Sequence, residues 1–256
     1  MPALEIVLIP ALSDNYVYLL HDAASGATAV VDPGEAAPVE AALAERGWTL
    51  THILNTHHHA DHIDGNDALK AKFGATLVGP KAEIDRIPDM DVTLAEGDTY
   101  DFAGHEARVF ETPGHTTGHI SLYFVDSDAL FSGDTLFSLG CGRMFEGTPA
   151  QFWDSLLKLR GLPDGTRIYC GHEYTASNAK FALSIDGDND ALKARAAEIE
   201  ALRAQGRPTI PSLLGQEKAI NPFLRADDPE IAAAVGKSGA GPVEVFAAVR
   251  KGKDTF

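Results

Sequence analysis

Cysteine is nearly absent: Cys141 and Cys170 are the only two in 256 residues. Two thiols cannot build a disulfide framework or a four-cysteine zinc ribbon, and the scarcity fits a reducing compartment. Positive charge is also short. Lys and Arg total 21 against 37 Asp and Glu, a formal net charge of −16. That balance argues against non-specific nucleic-acid or membrane-surface binding, which needs a basic face. No apolar run approaches the ~20 residues that a membrane-crossing helix needs. The N-terminus, Met1-Pro-Ala-Leu-Glu-Ile, lacks the basic region of a secretory signal. No Gly-x-Ser-x-Gly nucleophile elbow is present either. The expectation is a cytoplasmic protein with no membrane or nucleic-acid partner. A monomer is also expected.

What is abundant is histidine in one place. Thr56-His-His-His-Ala-Asp-His62 packs five metal-binding side chains into seven residues. Imidazole and carboxylate donors suit zinc, iron and manganese alike. A run this short reads as a loop that presents alternate side chains to one point. In an extended segment His57, His59 and Asp61 share one side. His62 joins them only if the chain turns, and Gly65 permits a turn. A solvated surface cluster is the bland alternative. It is disfavoured because the run is internal and follows the apolar Ile53-Leu54.

Strands are expected over residues 4–9, 16–20, 28–31 and 51–55, with a helix over 37–46 between the last two. Asn66–Phe73 reads as a helix stopped by Gly74. Strands follow at 76–78, 99–102, 105–111, 119–125 and 129–132. A helix over 151–160 and a strand over 166–170 come next. Residues 80–97 favour loop and turn. Beyond Cys170 no strand is expected, and helices are read over 176–184, 191–204, 229–235 and 242–250. The composition shift near Tyr174 marks a domain boundary, with residues 1–173 as an α/β catalytic domain and 174–256 as a helical one.

Three further strands end as the first does, in glycine and a ligand-type residue. They deliver His115, Asp134 and His172 after Gly114, Gly133 and Gly171. In layered α/β proteins, ligands gather beyond the carboxyl ends of strands. His57, His59, Asp61, His62, His115, Asp134 and His172 make a set sized for two divalent metals. His57, His59 and His115 would hold the first metal, and Asp61, His62 and His172 the second. Asp134, with two oxygens, would bridge them. Of the remaining histidines, His58 reads as structural and His119 as a neighbour of a ligand. His21, His52 and His105 are expected at the surface. Asp32-Pro33-Gly34 reads slightly better as a turn than as a partner for a ligand histidine.

These residues resemble the metallo-β-lactamase superfamily. The stretches that carry the likeness are Thr56–His62, Thr112-Pro-Gly-His-Thr-Thr-Gly-His119, Phe131-Ser-Gly-Asp134 and Gly171-His172. Pro10–Tyr16, Gly140-Cys-Gly-Arg-Met-Phe-Glu-Gly147, Gly171-His-Glu-Tyr-Thr175 and the helical tail narrow it to the glyoxalase II type, the hydroxyacylglutathione hydrolases. The resemblance implies an αββα sandwich with a C-terminal all-helical domain, two metal ions of which zinc is the first expectation, and Asp61 and Asp134 in the catalytic centre. It implies hydrolysis of glutathione thioesters, chiefly S-lactoylglutathione. Glutathione would be held by residues matching Arg143, Phe145, Tyr174, Arg250 and Lys253. Family members often carry lysine and tyrosine where this chain has Arg143 and Phe145, and the Phe145 ring cannot donate a hydrogen bond.

The closest rival on the same fold is a persulfide dioxygenase. It would use one iron held by His57, His115 and Asp134, a two-histidine, one-carboxylate site. The long chain after His172 argues against it. A lactonase or β-lactamase is a weaker rival. The complete ligand set opposes a non-catalytic member of the superfamily, and the acidic charge opposes a nucleic-acid-processing one.

Overall fold

The computed structural model describes residues 3–256; Met1 and Pro2, where the N-terminal reading begins, lie outside the described residues. The chain clusters into two compact units, Met1–Glu111 with Gly118–Gly133, and Thr112–Thr117 with Asp134–Phe256.

The first unit holds two sheets. One runs in spatial order through strands β1 (Glu5–Ala11), β2 (Asn15–His21), β3 (Thr28–Val31), β4 (His52–Leu54), β5 (Thr76–Pro80) and β6 (Val92–Leu94). Its first two pairings are antiparallel, and β3 to β6 pair in parallel. Parallel neighbours need crossovers. Helix α1 (Ala36–Arg46) supplies one, and the short α2 (Ala60–Ile63) with α3 (Asn66–Phe73) supplies another. All seven residues of β2 are buried, as expected of a strand covered on both faces. Alternation divides them. Val17 and Leu19 join a core with Val39 and Leu43 of α1 and Leu69 of α3. Tyr18 points the other way and meets the edge of Phe131 at 5.5 Å. Phe131 belongs to the second sheet, in which β7 (Thr99–Phe102), β8 (His105–Glu111), β9 (Ile120–Phe124) and β10 (Ala129–Gly133) pair antiparallel in that order.

The second unit is mainly helical. A two-strand hairpin, β11 (Leu136–Phe137) with β12 (Gly140–Cys141), follows Asp134. Helix α4 (Pro149–Arg160) starts two residues earlier than the periodicity predicts. Thr148 and Gln151 form a reciprocal capping box there, with Pro149 at the first position, so three local signals fix the start. Strand β13 (Arg167–Cys170) precedes α5 (Thr175–Ile185) and α6 (Asp190–Ala204). Strand β14 (Ser212–Leu213), α7 (Leu214–Ile220), α8 (Pro229–Ala234) and α9 (Pro242–Asp254) complete the chain. Phe246 of α9 packs on Phe152 of α4 and on Phe223, with ring centroids 5.6 and 6.4 Å apart.

Three expectations need correction. The tail is not free of strand, because β14 pairs antiparallel with β13. It also contains α7, which the sequence reading passed over. Both elements are short and lie between Pro211 and Pro222, so neither leaves a period to detect. Residues 80–97 contain β6, a three-residue parallel strand. Among the described residues, no helix is long and apolar enough to cross a membrane.

Candidate metal centre

Strand β4 delivers the histidine run, but the run is not all loop. His59 is the N-cap of α2, and Asp61 and His62 ride on that helical turn. This corrects the extended reading: the helix, not strand alternation, turns His62 inward. The turn is held by a close approach. A Cβ at Gly34 would stand 2.1 Å from the Asp61 carbonyl oxygen, so only glycine lets the Asp32–Gly34 loop press there.

Asp32 is more than a turn residue, contrary to the sequence preference. It is buried and sits at φ 50°. Its carboxylate accepts from the Thr56 amide (2.8 Å) and the Thr56 hydroxyl (2.7 Å), and its Oδ2 lies 3.2 Å from His62 Nδ1. A carboxylate can only accept here, so His62 carries its proton on Nδ1 and turns the Nε2 lone pair outward. The same logic fixes His57. Thr56 spends its hydroxyl proton on Asp32, so its oxygen accepts from His57 Nδ1 at 3.0 Å. The His57 Nε2 lone pair then faces His59 Nδ1 at 3.1 Å, and His62 Nε2 faces Asp61 Oδ2 at 3.5 Å. Asn15 Nδ2 donates to the same Asp61 oxygen, Oδ2, at 2.9 Å and to the Asp61 carbonyl at 3.1 Å.

The second unit repeats the pattern. His115 Nδ1 lies 2.7 Å from the Arg143 carbonyl oxygen. A carbonyl only accepts, so the proton is on Nδ1 and the His115 Nε2 lone pair faces Asp134 Oδ2 at 3.3 Å. His172 Nε2 approaches the same Asp134 oxygen, also at 3.3 Å. One carboxylate oxygen thus stands between two imidazoles, and all three groups are buried.

At His62 with Asp61 and at His115 with Asp134, the fixed tautomers set an imidazole lone pair against a carboxylate oxygen, a repulsion that a cation between them relieves. Two donors each 2.0–2.1 Å from a tetrahedral zinc are themselves ~3.3 Å apart. The separations of 3.1 to 3.5 Å therefore fit a divalent metal's donor set. The partners on the far nitrogens (Asp32, Thr56 and the Arg143 carbonyl) are the supports that ligand histidines ordinarily have.

Of the expected substrate residues, Phe145 and Tyr174 are exposed, at 59% and 39%. The Phe145 ring meets His115 edge-on at 5.2 Å, and Tyr174 stacks on His172 at 4.7 Å with 3° between planes. Each candidate histidine of the second unit thus carries an exposed aromatic against it. Arg143 lies over the Phe145 ring, 5.8 Å from its centroid. Arg250 is buried, with Nη1 donating to the carbonyls of Cys141 (2.8 Å) and Gly142 (3.2 Å). Lys253 donates to Ser177, at 2.8 Å to Oγ. Burial first, and then the nearby Arg250 charge, holds its pKa below the usual lysine range. Asp254 was missed by the sequence reading. It pairs with Arg250 at 3.1 Å and lies 3.6 Å from Arg143, which tempers the basic cluster.

The other histidines divide. His58 meets Glu83 at 2.8 Å, and His119 is buried with its ring stacked on His57 at 4.9 Å. His21 and His105 are buried, not at the surface. His21 stacks on Trp48 at 4.0 Å, and His105 lies between Asp126 (2.7 Å) and Asp22 (3.5 Å). Each buries its ring against partners distant in sequence, which a residue-by-residue scan cannot see. His52 is half-buried, and burial lowers its pKa.

Comparison with known proteins agrees with this chemistry. The family model for the metallo-beta-lactamase superfamily matches residues 12–172, and that for the hydroxyacylglutathione hydrolase C-terminus matches residues 173–256. A hydroxyacylglutathione hydrolase of Rhodopseudomonas palustris (strain BisA53) is 58% identical over 98% of this chain and 99% of its own length. One from Rhodospirillum rubrum is 56% identical over the full length of both. Among solved structures, ETHE1 from Myxococcus xanthus superposes with a TM-score of 0.69 at 28% identity, covering 97% of this chain and 89% of that one.

Proposed function

The chain belongs to the hydroxyacylglutathione hydrolases of the metallo-beta-lactamase superfamily, and on that premise we propose that it is a binuclear-metal thioesterase. Its substrate is an S-(2-hydroxyacyl)glutathione, chiefly S-lactoylglutathione, and its products are a 2-hydroxy acid and glutathione. In this reading the enzyme serves methylglyoxal detoxification as a cytoplasmic monomer. Residues 1–173 form the catalytic domain and 174–256 the glutathione-binding domain.

His57, His59 and His115 are assigned to one metal, Asp61, His62 and His172 to the other, with Asp134 between them. The observation that supports this most is the Asp134 oxygen held 3.3 Å from two imidazole nitrogens, one of which is aimed by a hydrogen bond on its far side. Histidine and carboxylate donors fit zinc, the metal proposed here, although they also accept iron and manganese. Two divalent ions bound to such a set supply hydroxide at neutral pH and a Lewis acid for the carbonyl oxygen.

The chain's own residues do the rest. Asp32 and Thr56 fix the tautomers of His62 and His57, and the Arg143 carbonyl fixes that of His115. Donor atoms held this way need no reorganisation when charge develops at the thioester. Phe145 and Tyr174 offer exposed apolar rings for the acyl and cysteinyl parts. Arg143, Arg250 and Lys253 supply the positive charge that a tripeptide with two carboxylates and one ammonium needs against a net charge of −16. The departing thiolate is a good leaving group, so no dedicated acid is assigned.

The test is hydrolysis of S-lactoylglutathione by metal-loaded protein, with metal analysis alongside. Turnover with two ions per chain is expected. One tightly held ion with oxygen consumption on a persulfide would favour the dioxygenase reading, which the match over residues 173–256 disfavours.

A further inference from the structure

Asp134 and Arg143 stand at the two ends of one hairpin. The chain leaves Asp134, runs out along β11, turns at Ser138-Leu139 and returns along β12. The Gly142 amide donates to the Thr135 carbonyl at 3.2 Å and closes the base. Both ends touch candidate ligands: Asp134 is one, and the Arg143 carbonyl holds His115 at 2.7 Å. The position of the hairpin therefore sets two of the three ligands of this unit.

The tip is also held from outside the hairpin. Leu139 sits at φ 56°, a left-handed conformation that costs a leucine energy. Glu217 of α7, fully buried, reaches this corner from 78 residues away. Its Oε1 accepts from Ser138 Oγ at 2.8 Å, and its Oε2 accepts from the Leu139 amide at 2.7 Å and from Asn221 Nδ2 at 3.2 Å. Asn221 Nδ2 also reaches the carbonyls of Phe137 (3.2 Å) and Gly140 (3.1 Å), and Asn178 of α5 donates to the Ser138 carbonyl at 3.1 Å. Burial pushes the Glu217 pKa up, and the donors oppose that push. A buried carboxylate is costly unless its lone pairs are satisfied, and here they are satisfied by the strained corner.

We propose that Glu217 is a positioning residue for Asp134 and His115, acting through the hairpin Thr135–Gly142. It rests on the reading of those two residues as metal ligands. It gives the helical tail a second task besides substrate binding: α7 and α5 clamp the tip of the hairpin whose base aims the donors.

Glu217→Gln tests it, because the amide keeps the shape but turns one acceptor into a donor that must face Ser138, Leu139 or Asn221. The full-length, zinc-loaded chain is challenged with a chromogenic chelator. Supporting residues around metal ligands typically carry 10–100-fold in metal affinity, so Glu217→Gln should lose zinc at chelator concentrations lower by about that factor. The Leu139 amide should exchange hydrogen faster, and kcat should fall more than KM changes. Lys218→Ala, on the same helix and bonded to Asp164 at 2.6 Å and the Leu162 carbonyl at 2.9 Å, controls for simple loss of helix stability and should keep its zinc. If Glu217→Gln does not fold, Ser138→Ala, which deletes one donor, should show the same zinc loss to a smaller degree. Wild-type zinc retention in Glu217→Gln, or in Ser138→Ala where that variant carries the test, overturns the proposal. Should the wild type itself fail to hydrolyse S-lactoylglutathione, the proposed substrate falls, and zinc retention still decides the role of Glu217.

Discussion

The two candidate ligand sets are built in opposite ways. In the first unit, His57, His59, Asp61 and His62 lie within six residues; their supports are the adjacent Thr56 and Asp32, 30 residues before His62. In the second, His115, Asp134 and His172 come from three separate strand ends. Their supports are a carbonyl 28 residues on and a carboxylate 78 residues from the corner it holds. The compact set takes its donors from one local run, whereas the dispersed set brings its donors together only through tertiary packing. A compact set should lose one ligand at a time when mutated, whereas a dispersed set should lose its geometry together.

The largest effect is expected at the carboxylate of the dispersed set. Asp134→Ala removes the oxygen that faces both His115 and His172. Loss of a support alone costs 10–100-fold, so loss of this ligand should lower kcat by more than ~100-fold and take zinc content below two ions per chain. Two tightly bound ions in Asp134→Ala would show that the dispersed set does not bridge. Next in size is Asp32→Ala, which frees the tautomers of His62 and His57. Zinc affinity should fall 10–100-fold, with the fold retained by circular dichroism. An unchanged affinity would mean that α2 alone fixes the histidines.

The same contrast explains what could be read from the sequence. The compact run was legible because its candidate ligands are neighbours and their residue types suit a metal. The strand ends at Gly114, Gly133 and Gly171 were legible because glycine marks them; a Cβ on Gly133, at φ 47°, would lie 2.4 Å from Thr56 Oγ1. Strands such as β2 and helices such as α6 have clear periods. The supports were not legible. Asp32 looks like any Asp-Pro-Gly turn, and Glu217 looks like one more acid on a short helix. His21 and His105 looked like surface residues because their partners, Trp48, Asp126 and Asp22, are brought together only by the fold. Short elements such as β14 and α7 carry too few residues to show a period.

Arg250 and Lys253, three apart on α9, sharpen the comparison within the tail. Arg250 is buried on the Cys141 and Gly142 carbonyls at the hairpin base. Arg250→Ala leaves both carbonyls without that donor, at ~1–3 kcal/mol, and should lower Tm as well as raise KM. Lys253→Ala should raise KM for S-lactoylglutathione about tenfold, the scale of one charge-assisted hydrogen bond at ~1.5–3 kcal/mol, with Tm little moved. Equal effects of both on Tm would place Lys253 in the scaffold too.

The smallest expected effect is in the pH dependence of that KM. Lys253 has its pKa lowered, first by burial and then by the Arg250 charge. A depressed lysine pKa means that the ammonium is lost at a lower pH than the ordinary value of ~10.4. If the ammonium meets a glutathione carboxylate, KM should be flat while Lys253 is charged and should begin to climb before pH reaches the ordinary lysine range. The sign is fixed, because deprotonation removes the attraction and cannot strengthen it. Linkage gives the opposite sign for stability: a folded-state pKa below the unfolded one means folding disfavours the charged form. Lys253 therefore costs the fold some stability while charged, and that cost fades as pH rises through its folded pKa. KM and stability should both rise with pH in the wild type, and both trends should shrink in Lys253→Ala. A thioester lacking the glycine carboxylate should show a weaker climb in KM and an unchanged stability trend. A KM profile identical in wild type and Lys253→Ala would leave Arg143 and Arg250, both at the base of the hairpin that Glu217 holds, as the cations for that carboxylate.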